Sequence, residues 1–387
     1  MRLIRVQLSN FRSFKDIKLN FSDNITVIVG PNGSGKSNII ESIFFLSTGK
    51  SFRARVEEEM VAYDEEIARV KGAIIEERDE DSGVNLEIVL TRGEITIGES
   101  PEKYRKNLPA GRQVARKRLL VNGVGKRLID FAGIFKTVLF GPWDLDLVTS
   151  SPSIRRRFLD TVLSQVDREY RRASMSYEKG LRQRNRLLFR IREEGIPRSQ
   201  LLFWNKLLIK NGDYIARRRD EFINFVNVAN FQFPMVRHAH HPERSRGISN
   251  FQLEYDKSAI SEARLAQYSE EEIAATSTLV GPHRDDFVFG VKGRGSKRVK
   301  GFRELAPYGS RGEQRMGVLW LKLAELAYIE NETKEKPTLL LDDIFSELDH
   351  EHREIVMEAA KGQQTIITTA DPHYVGEHEK FEKIELK

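Results

Sequence analysis

The chain has 387 residues, enough for two to three domains and a sizeable buried core. It contains no Cys, which excludes disulfides and thiolate metal sites and makes a reducing cytoplasm the expected setting. Net charge is only +6, yet Ser151–Asp220 carries 18 Lys and Arg against 8 Asp and Glu, so a polyanion partner is expected for that segment while the remainder is slightly acidic.

In chain order, the start Met1-Arg-Leu-Ile-Arg-Val turns polar at Gln7 and shows no signal-peptide apolar region. Short apolar runs at 3–8, 17–21, 25–29, 68–75 and 86–90 predict strands, and 37–46 predicts a helix. Gly30-Pro-Asn-Gly-Ser-Gly-Lys36-Ser37 fits the P-loop pattern Gly-x-x-x-x-Gly-Lys-Ser between one of those strands and that helix. In that place backbone N–H groups and the positive helix end face phosphates. Residues 107–117 lack periodicity and read as a loop.

From Ser151, a candidate N-cap followed by Pro152, the residues Ile154, Phe158, Val162 and Val166 recur every four positions and predict a helix. Helical stretches at 170–194 and 199–228 follow, broken at Gly195-Ile-Pro197. Residues 237–249 read as a second loop, whose His238, His240 and His241 lack companions for a metal site. Strands at 251–255 and 286–291, a strong helix at 312–329, a strand at 338–341, a helix at 352–360 and a strand at 365–369 complete the pattern. No apolar run approaches the roughly 20 residues of a membrane helix, so no membrane partner is expected.

Three motifs combine into one chemistry. Lys36 carries a point charge to the β- and γ-phosphates of ATP, Ser37 offers a hydroxyl to Mg²⁺, and Asp342, ending an apolar strand, holds the metal from the other side. By resemblance to ABC-type heads, Asp343 stands where a second acid would orient the attacking water, one methylene shorter than the Glu most such heads carry, which suits slow turnover. Ser310 and Gly312 open the strong helix, where hydroxyl, backbone and helix dipole can meet a γ-phosphate. Ile344–Asp349 resembles a D-loop. This is the layout of an α/β, ABC-type P-loop ATPase head, in which the γ-phosphate met by Ser310 belongs to a nucleotide on a second copy, so a homodimer closes the sites. Residues 1–150 and 280–387 are assigned to the head, and 151–279 to an inserted, mainly helical lobe with a basic surface.

Asn10-Phe-Arg-Ser-Phe14, Gly30–Asn38, Ser151–Asp160, Arg184-Asn185, Gly281-Pro-His-Arg-Asp-Asp286 and Leu340–Asp349 closely resemble bacterial RecF proteins, nearly end to end. The resemblance implies ATP-dependent dimerisation on double-stranded DNA near single-strand gaps, weak DNA-stimulated ATP hydrolysis, and work with RecO and RecR to load RecA. It places Arg12, Gly30, Asn32, Gly33, Gly35, Asn38, Asp349 and Thr369 at the nucleotide, Asp144 in the Q-loop region, and Asp371 beside Thr369 in the switch region. Trp143 departs from the family's Pro-Glu-Asp-Leu run, and Arg311 replaces a commoner Gln.

For DNA, the basic segment nominates Arg155, Arg156, Arg184, Arg186, Arg217 and Arg218, with Arg157, Arg182 and Arg219 as further cations. Arg155–Arg157 crowd the first turn of a helix, where cations oppose the dipole and an anion, either DNA phosphate or an internal carboxylate, relieves the cost. Competing readings are a transporter energy subunit, an SMC-like chromosome protein and an architectural DNA binder. About 300 residues between P-loop and acidic strand speak against the first, an arm of about 75 residues without sustained heptads against the second, and intact Lys36 and Asp343 against the third.

Overall fold

The computed structural model describes residues 1–76, 79–92, 117–228, 251–292, 302–371 and 381–386. The predicted loop at 237–249 with its three histidines lies outside them, as does the 107–117 loop apart from Lys117. The chain forms two compact units, Met1–Pro142 with Glu335–Lys387, and Trp143–Lys334.

The first unit opens with β1 (Arg2–Phe11), β2 (Phe14–Asn20) and β3 (Ile25–Val29), then helix α1 (Lys36–Thr48). β4 (Ile67–Glu76), β5 (Asp79–Thr91), β6 (Lys117–Val121), β7 (Val124–Lys126), the short α2 (Leu128–Phe131) and β8 (Thr137–Phe140) follow. An antiparallel sheet runs β2-β1-β4-β5-β6-β7. Along β4 the alternation of Ala68, Val70 and Ile74 with Arg69 and Lys71 buries one face and leaves the other to solvent.

The second unit begins with a 3-10 turn, Pro142–Leu145, that straddles the crossing, then α3 (Asp146–Thr149), α4 (Pro152–Val166), α5 (Arg168–Glu194) and α6 (Leu202–Val228). β9 (Phe251–Asp256), α7 (Glu262–Gln267), α8 (Ser269–Ala275), β10 (Asp286–Lys292), β11 (Phe302–Glu304), α9 (Leu305–Tyr308) and α10 (Arg311–Thr333) complete it. Its sheet is ordered β11-β10-β9. Phe222 packs on Phe158 at 6.0 Å and on Tyr328 at 4.9 Å, and Phe251 packs on Trp320 at 5.9 Å. Through these rings α10 buries its apolar face against α4, α6 and β9, which is why the compact unit holds the strong helix together with the arm.

The chain returns to the first unit with β12 (Thr338–Asp342), α11 (His350–Lys361), β13 (Thr365–Thr369) and β14 (Glu382–Glu385). These join the N-terminal strands in a parallel sheet ordered β14-β3-β13-β12-β8. β12 and β13 are buried along their whole length, as a parallel sheet requires. Gln364 links the two ends of the sequence, donating to the carbonyls of Leu3 and Ser22 and accepting from the Leu3 N–H at 2.8 Å. α1 packs against strands of both sheets, with Ile39, Ile40, Ile43, Phe45 and Leu46 fully buried.

Candidate functional site

The motifs converge at the carboxyl ends of the parallel strands, the usual place for a ligand in an open α/β sheet. Asp342 at the end of β12 stands opposite Thr368 on β13, and Thr368 stands opposite Ile28 on β3, immediately before the P-loop. Three adjacent strands thus deliver an acid, a hydroxyl and a phosphate-binding loop side by side.

The loop has the backbone its function demands. Gly33 and Gly35 have φ of 87° and 95°, in the left-handed region that side chains resist. At Gly35 a Cβ would also come within 2.6 Å of the Phe14 ring, so this glycine lets the β1–β2 turn close over the loop. Asn38 donates to Ser13 on that turn at 2.9 Å, while Asn32 is exposed. Lys36 is buried, and its ammonium donates to the carbonyls of Gly30 at 2.7 Å and Pro31 at 3.0 Å, which holds the charge inside the curve of the loop.

Asp342 is buried and accepts from Thr368 Oγ1 at 2.5 Å and from Ser37. Burial pushes its carboxyl above the usual range, against the opposing hydrogen bonds from Thr368 and Ser37. A desolvated carboxylate between two hydroxyls is a hard-oxygen donor set, which fits Mg²⁺. Asp343 adopts φ 50°, a left-handed conformation that turns the chain sharply out of β12, and its N–H donates to Thr368. Its side chain is half-buried, one residue beyond the metal-type carboxylate.

Arg12, also at positive φ (52°), is committed to the protein. Its guanidinium grips the fully buried Glu41 of α1 in bidentate fashion at 2.9 and 2.7 Å and donates to the Glu59 carbonyl. It therefore fixes the β1–β2 turn to the helix that follows the P-loop. Thr369 is buried and exchanges hydrogen bonds with the Asp371 backbone. Asp349 is exposed and caps α11 through the His352 N–H. Sequence reading missed Arg53, whose guanidinium lies 3.5 Å from Asn38 Oδ1 and whose charge is felt by Asp342. Its only sequence signal is a cation shortly after the P-loop helix.

In the second unit, Ser310 caps α10 with a complete capping box, its hydroxyl accepting from the Glu313 N–H while the Glu313 carboxylate accepts from the Ser310 N–H. Arg303, followed by Ser310, holds the Glu313 carboxyl below its usual range. Ser310, Arg311 and Gly312 are all exposed, and a Cβ on Gly312 would meet nothing nearer than Ser310 Oγ at 4.0 Å. The helix end is open for an approaching anion.

Several expected DNA contacts are corrected. Arg155 forms a bidentate pair with Asp286 at 2.6 and 2.9 Å and donates to the carbonyls of Leu147 and Ser150. Arg184, 2% exposed, binds Glu272, Thr278 and Asn205. Arg218 is shared among Asp167, Glu221 and Glu332, and Arg219 among Asp160, Asp285 and Tyr170. Arg156 is half-buried and donates to the Asp285 carbonyl. Internal carboxylates and carbonyls engage all five. Arg186 and Arg217 remain exposed. Arg186 belongs to an exposed row on α5, with Arg168, Arg172, Met175, Lys179, Arg182 and Phe189, spaced alternately four and three residues apart. Such spacing keeps one helix face, so the row extends about 30 Å at 1.5 Å per residue.

A P-loop opening a helix from a parallel sheet, with the acid pair on a nearby strand and a second antiparallel sheet on the other side of that helix, defines an α/β ATPase head of the ABC type, here with an inserted helical arm. The family model described as the RecF/RecN/SMC N terminal domain matches residues 2–387. Proteins named DNA replication and repair protein RecF are 32% identical in Lachnoclostridium phytofermentans, over 94% of this chain and 91% of the relative, and 33% identical in Herpetosiphon aurantiacus, over 96% and 94%. The solved structure of the recombination mediator protein RecF-ATPrS in the RecFOR pathway covers 99% of this chain and 96% of its own, with 30% identity and a TM-score of 0.78. The chain belongs to the bacterial RecF family.

Proposed function

We propose that this protein is an ATP-dependent DNA-binding protein of recombinational repair and replication, which closes as a homodimer on duplex DNA near single-strand gaps, hydrolyses ATP slowly and assists RecA loading with RecO and RecR. The observation that carries the reading is the convergence of the loop that follows β3, with Lys36 and Ser37 at its end, on Thr368 of β13 and on Asp342 and Asp343 at the end of β12, in a chain whose relatives include RecF proteins solved as RecF-ATPrS and RecF-ATP. The functional head comprises 1–150 and 280–387, and the basic arm lies within 151–279.

Each residue has a role in this reading. Gly30, Asn32, Gly33, Gly35 and Asn38 shape the phosphate cradle, and Lys36 leaves its carbonyl partners for the β- and γ-phosphates. Ser37 and Asp342 hold Mg²⁺, with Thr368 keeping the Asp342 carboxylate aimed. Bound Mg²⁺ neutralises phosphate charge. Asp343 orients the attacking water, and Arg12 secures the turn above the loop. Ser310 and Gly312 present a hydroxyl, N–H groups and the helix dipole to the γ-phosphate of the partner copy. Asp349 and Thr369 line the same composite site. On the arm, the cationic row of α5 with Arg217 contacts DNA backbone phosphates without reading bases.

Hydrolysis of ATP measured with and without duplex DNA tests the reading. A slow rate that rises with duplex and vanishes in Lys36→Met is expected. A rate indifferent to DNA would overturn the DNA-dependent part, and tight ATP binding by Lys36→Met would overturn the site.

A further inference from the structure

Charge as well as packing ties down the helix that carries Ser310 and Gly312. Lys322 and Glu325 lie one turn apart on α10, 6% and 2% exposed, and the turn entering the second unit brings up Asp144, 8% exposed. Lys322 Nζ stands 3.2 Å from Asp144 Oδ1 and 3.2 Å from Glu325 Oε2, over the Phe158 ring at 5.0 Å. Apolar side chains of equal volume would be as stable here or more so, because desolvating three ionisable groups offsets their attraction. Position supplies the reason for keeping them. Asp144 lies two residues beyond Pro142, on the segment that continues β8, and β8 pairs with the Asp342 strand. Lys322 lies about three turns along the helix capped by Ser310.

We propose that Lys322 is a positioning residue, which latches helix α10 to the Asp144 turn through which the chain enters the second unit and so sets where Ser310 and Gly312 stand for the partner's nucleotide. The proposal rests on the ATP-dimer reading above. One cation between two carboxylates leaves a surplus negative charge, and a proton on Glu325 removes it. Burial pushes the Glu325 carboxyl up to about 7 against the pull of Lys322, while Lys322, despite desolvation, is held above its usual value by Asp144 and Glu325. Below that pH Lys322 belongs to Asp144 alone. Above it two carboxylates compete and the grip on Asp144 loosens. The charges bearing on Glu325 are Lys322 and Asp144. On the helices packed against α10, Arg155 of α4 is engaged by Asp286, Arg218 of α6 by Asp167, Glu221 and Glu332, and Asp146 of α3 accepts from Ser150.

The test uses full-length protein, with ATP-driven dimerisation followed by light scattering and own-site affinity followed with a fluorescent ATP analogue. In the charge-balanced double variant Lys322→Met with Glu325→Gln, which leaves Asp144 intact, own-site affinity stays within about twofold of wild type while dimerisation at saturating ATP weakens about tenfold or more. Wild-type dimerisation weakens several-fold between pH 6 and 8, and Glu325→Gln removes that step while still dimerising. Wild-type dimerisation by the double variant, or loss of own-site affinity along with it, overturns the latch. Should the double variant not fold, Glu325→Gln decides alone: a pH step that persists in it overturns the proposal. A wild-type protein that binds ATP yet never dimerises overturns the composite-site reading itself, and the latch with it.

Discussion

At the scale of single residues, backbone geometry tells which substitutions report on chemistry. Asp343 sits at φ 50°, where Asn is tolerated and Ala is strained, so Asp343→Asn removes the water-orienting charge without disturbing the turn. Hydrolysis should fall by roughly 10²-fold while ATP binding holds and the ATP-bound dimer lasts longer. A monomer at saturating ATP, seen by light scattering, would contradict this. Lys36→Met should abolish ATP binding with far-ultraviolet dichroism unchanged, since the ammonium it loses is held by loop carbonyls rather than by the core. The arginines divide in the same way. Arg184→Ala leaves Glu272, itself fully buried, without its cation, and should cost about 3–5 kcal/mol, whereas Arg186→Ala on the exposed row should stay within about 0.5 kcal/mol. Thermal unfolding of the two variants distinguishes them, and equal melting temperatures would show that the buried pair is energetically idle.

At the scale of elements, legibility followed periodicity. α4, α5, α6 and α10 were readable because their apolar positions repeat with the helix, and β3, β12 and β13 because both faces of a parallel strand are buried. β7 and β11, three residues each, are too short for any pattern to emerge, and β14 reads Glu-Lys-Ile-Glu because only one residue of the strand is apolar. Within the candidate site, spacing alone nominates Lys36, Ser37, Asp342 and Asp343, whereas the Arg12–Glu41 clamp and the Thr368–Asp342 bond leave no trace in it, since their partners lie on other strands and helices. The same blindness misled the choice of DNA contacts: sequence counts cations but cannot see that Asp285, Asp286 and Glu272 arrive from distant segments to absorb them. The exposed row on α5 is the better candidate. Reversing Arg182 and Arg186 together to Glu should weaken duplex binding and flatten its dependence on salt, because fewer counterions are released, while ATP affinity without DNA is retained. Unaltered binding across a salt series would reduce the row to a solvated helix face.

At the scale of the whole molecule, the P-loop and the Ser310 helix belong to different compact units, and the composite-site reading requires that each nucleotide meet the Ser310 helix of the other copy. Ser310→Arg fills the space meant for the partner's γ-phosphate and should block dimerisation while leaving the chain's own P-loop able to bind ATP. The substitution also removes the hydroxyl that caps the helix, a loss of about 0.5–2 kcal/mol, so Ser310→Ala serves as the control: it loses that hydroxyl both as cap and as a γ-phosphate partner but leaves the helix-end N–H groups open, and should dimerise more weakly than wild type where Ser310→Arg does not dimerise at all. Mixing Ser310→Arg chains with Lys36→Met chains then gives heterodimers in which one sound P-loop faces one sound Ser310 helix, although both homodimers are inactive. With random pairing half of the dimers are mixed and each holds one good site, so at most about a quarter of wild-type sites return, provided one bound ATP holds the dimer together. Activity that reappears only on mixing is the expected result. Hydrolysis by Ser310→Arg alone at the wild-type, DNA-stimulated rate would mean that each site is complete within one chain, because a blocked Ser310 could not then matter to any nucleotide in the assembly.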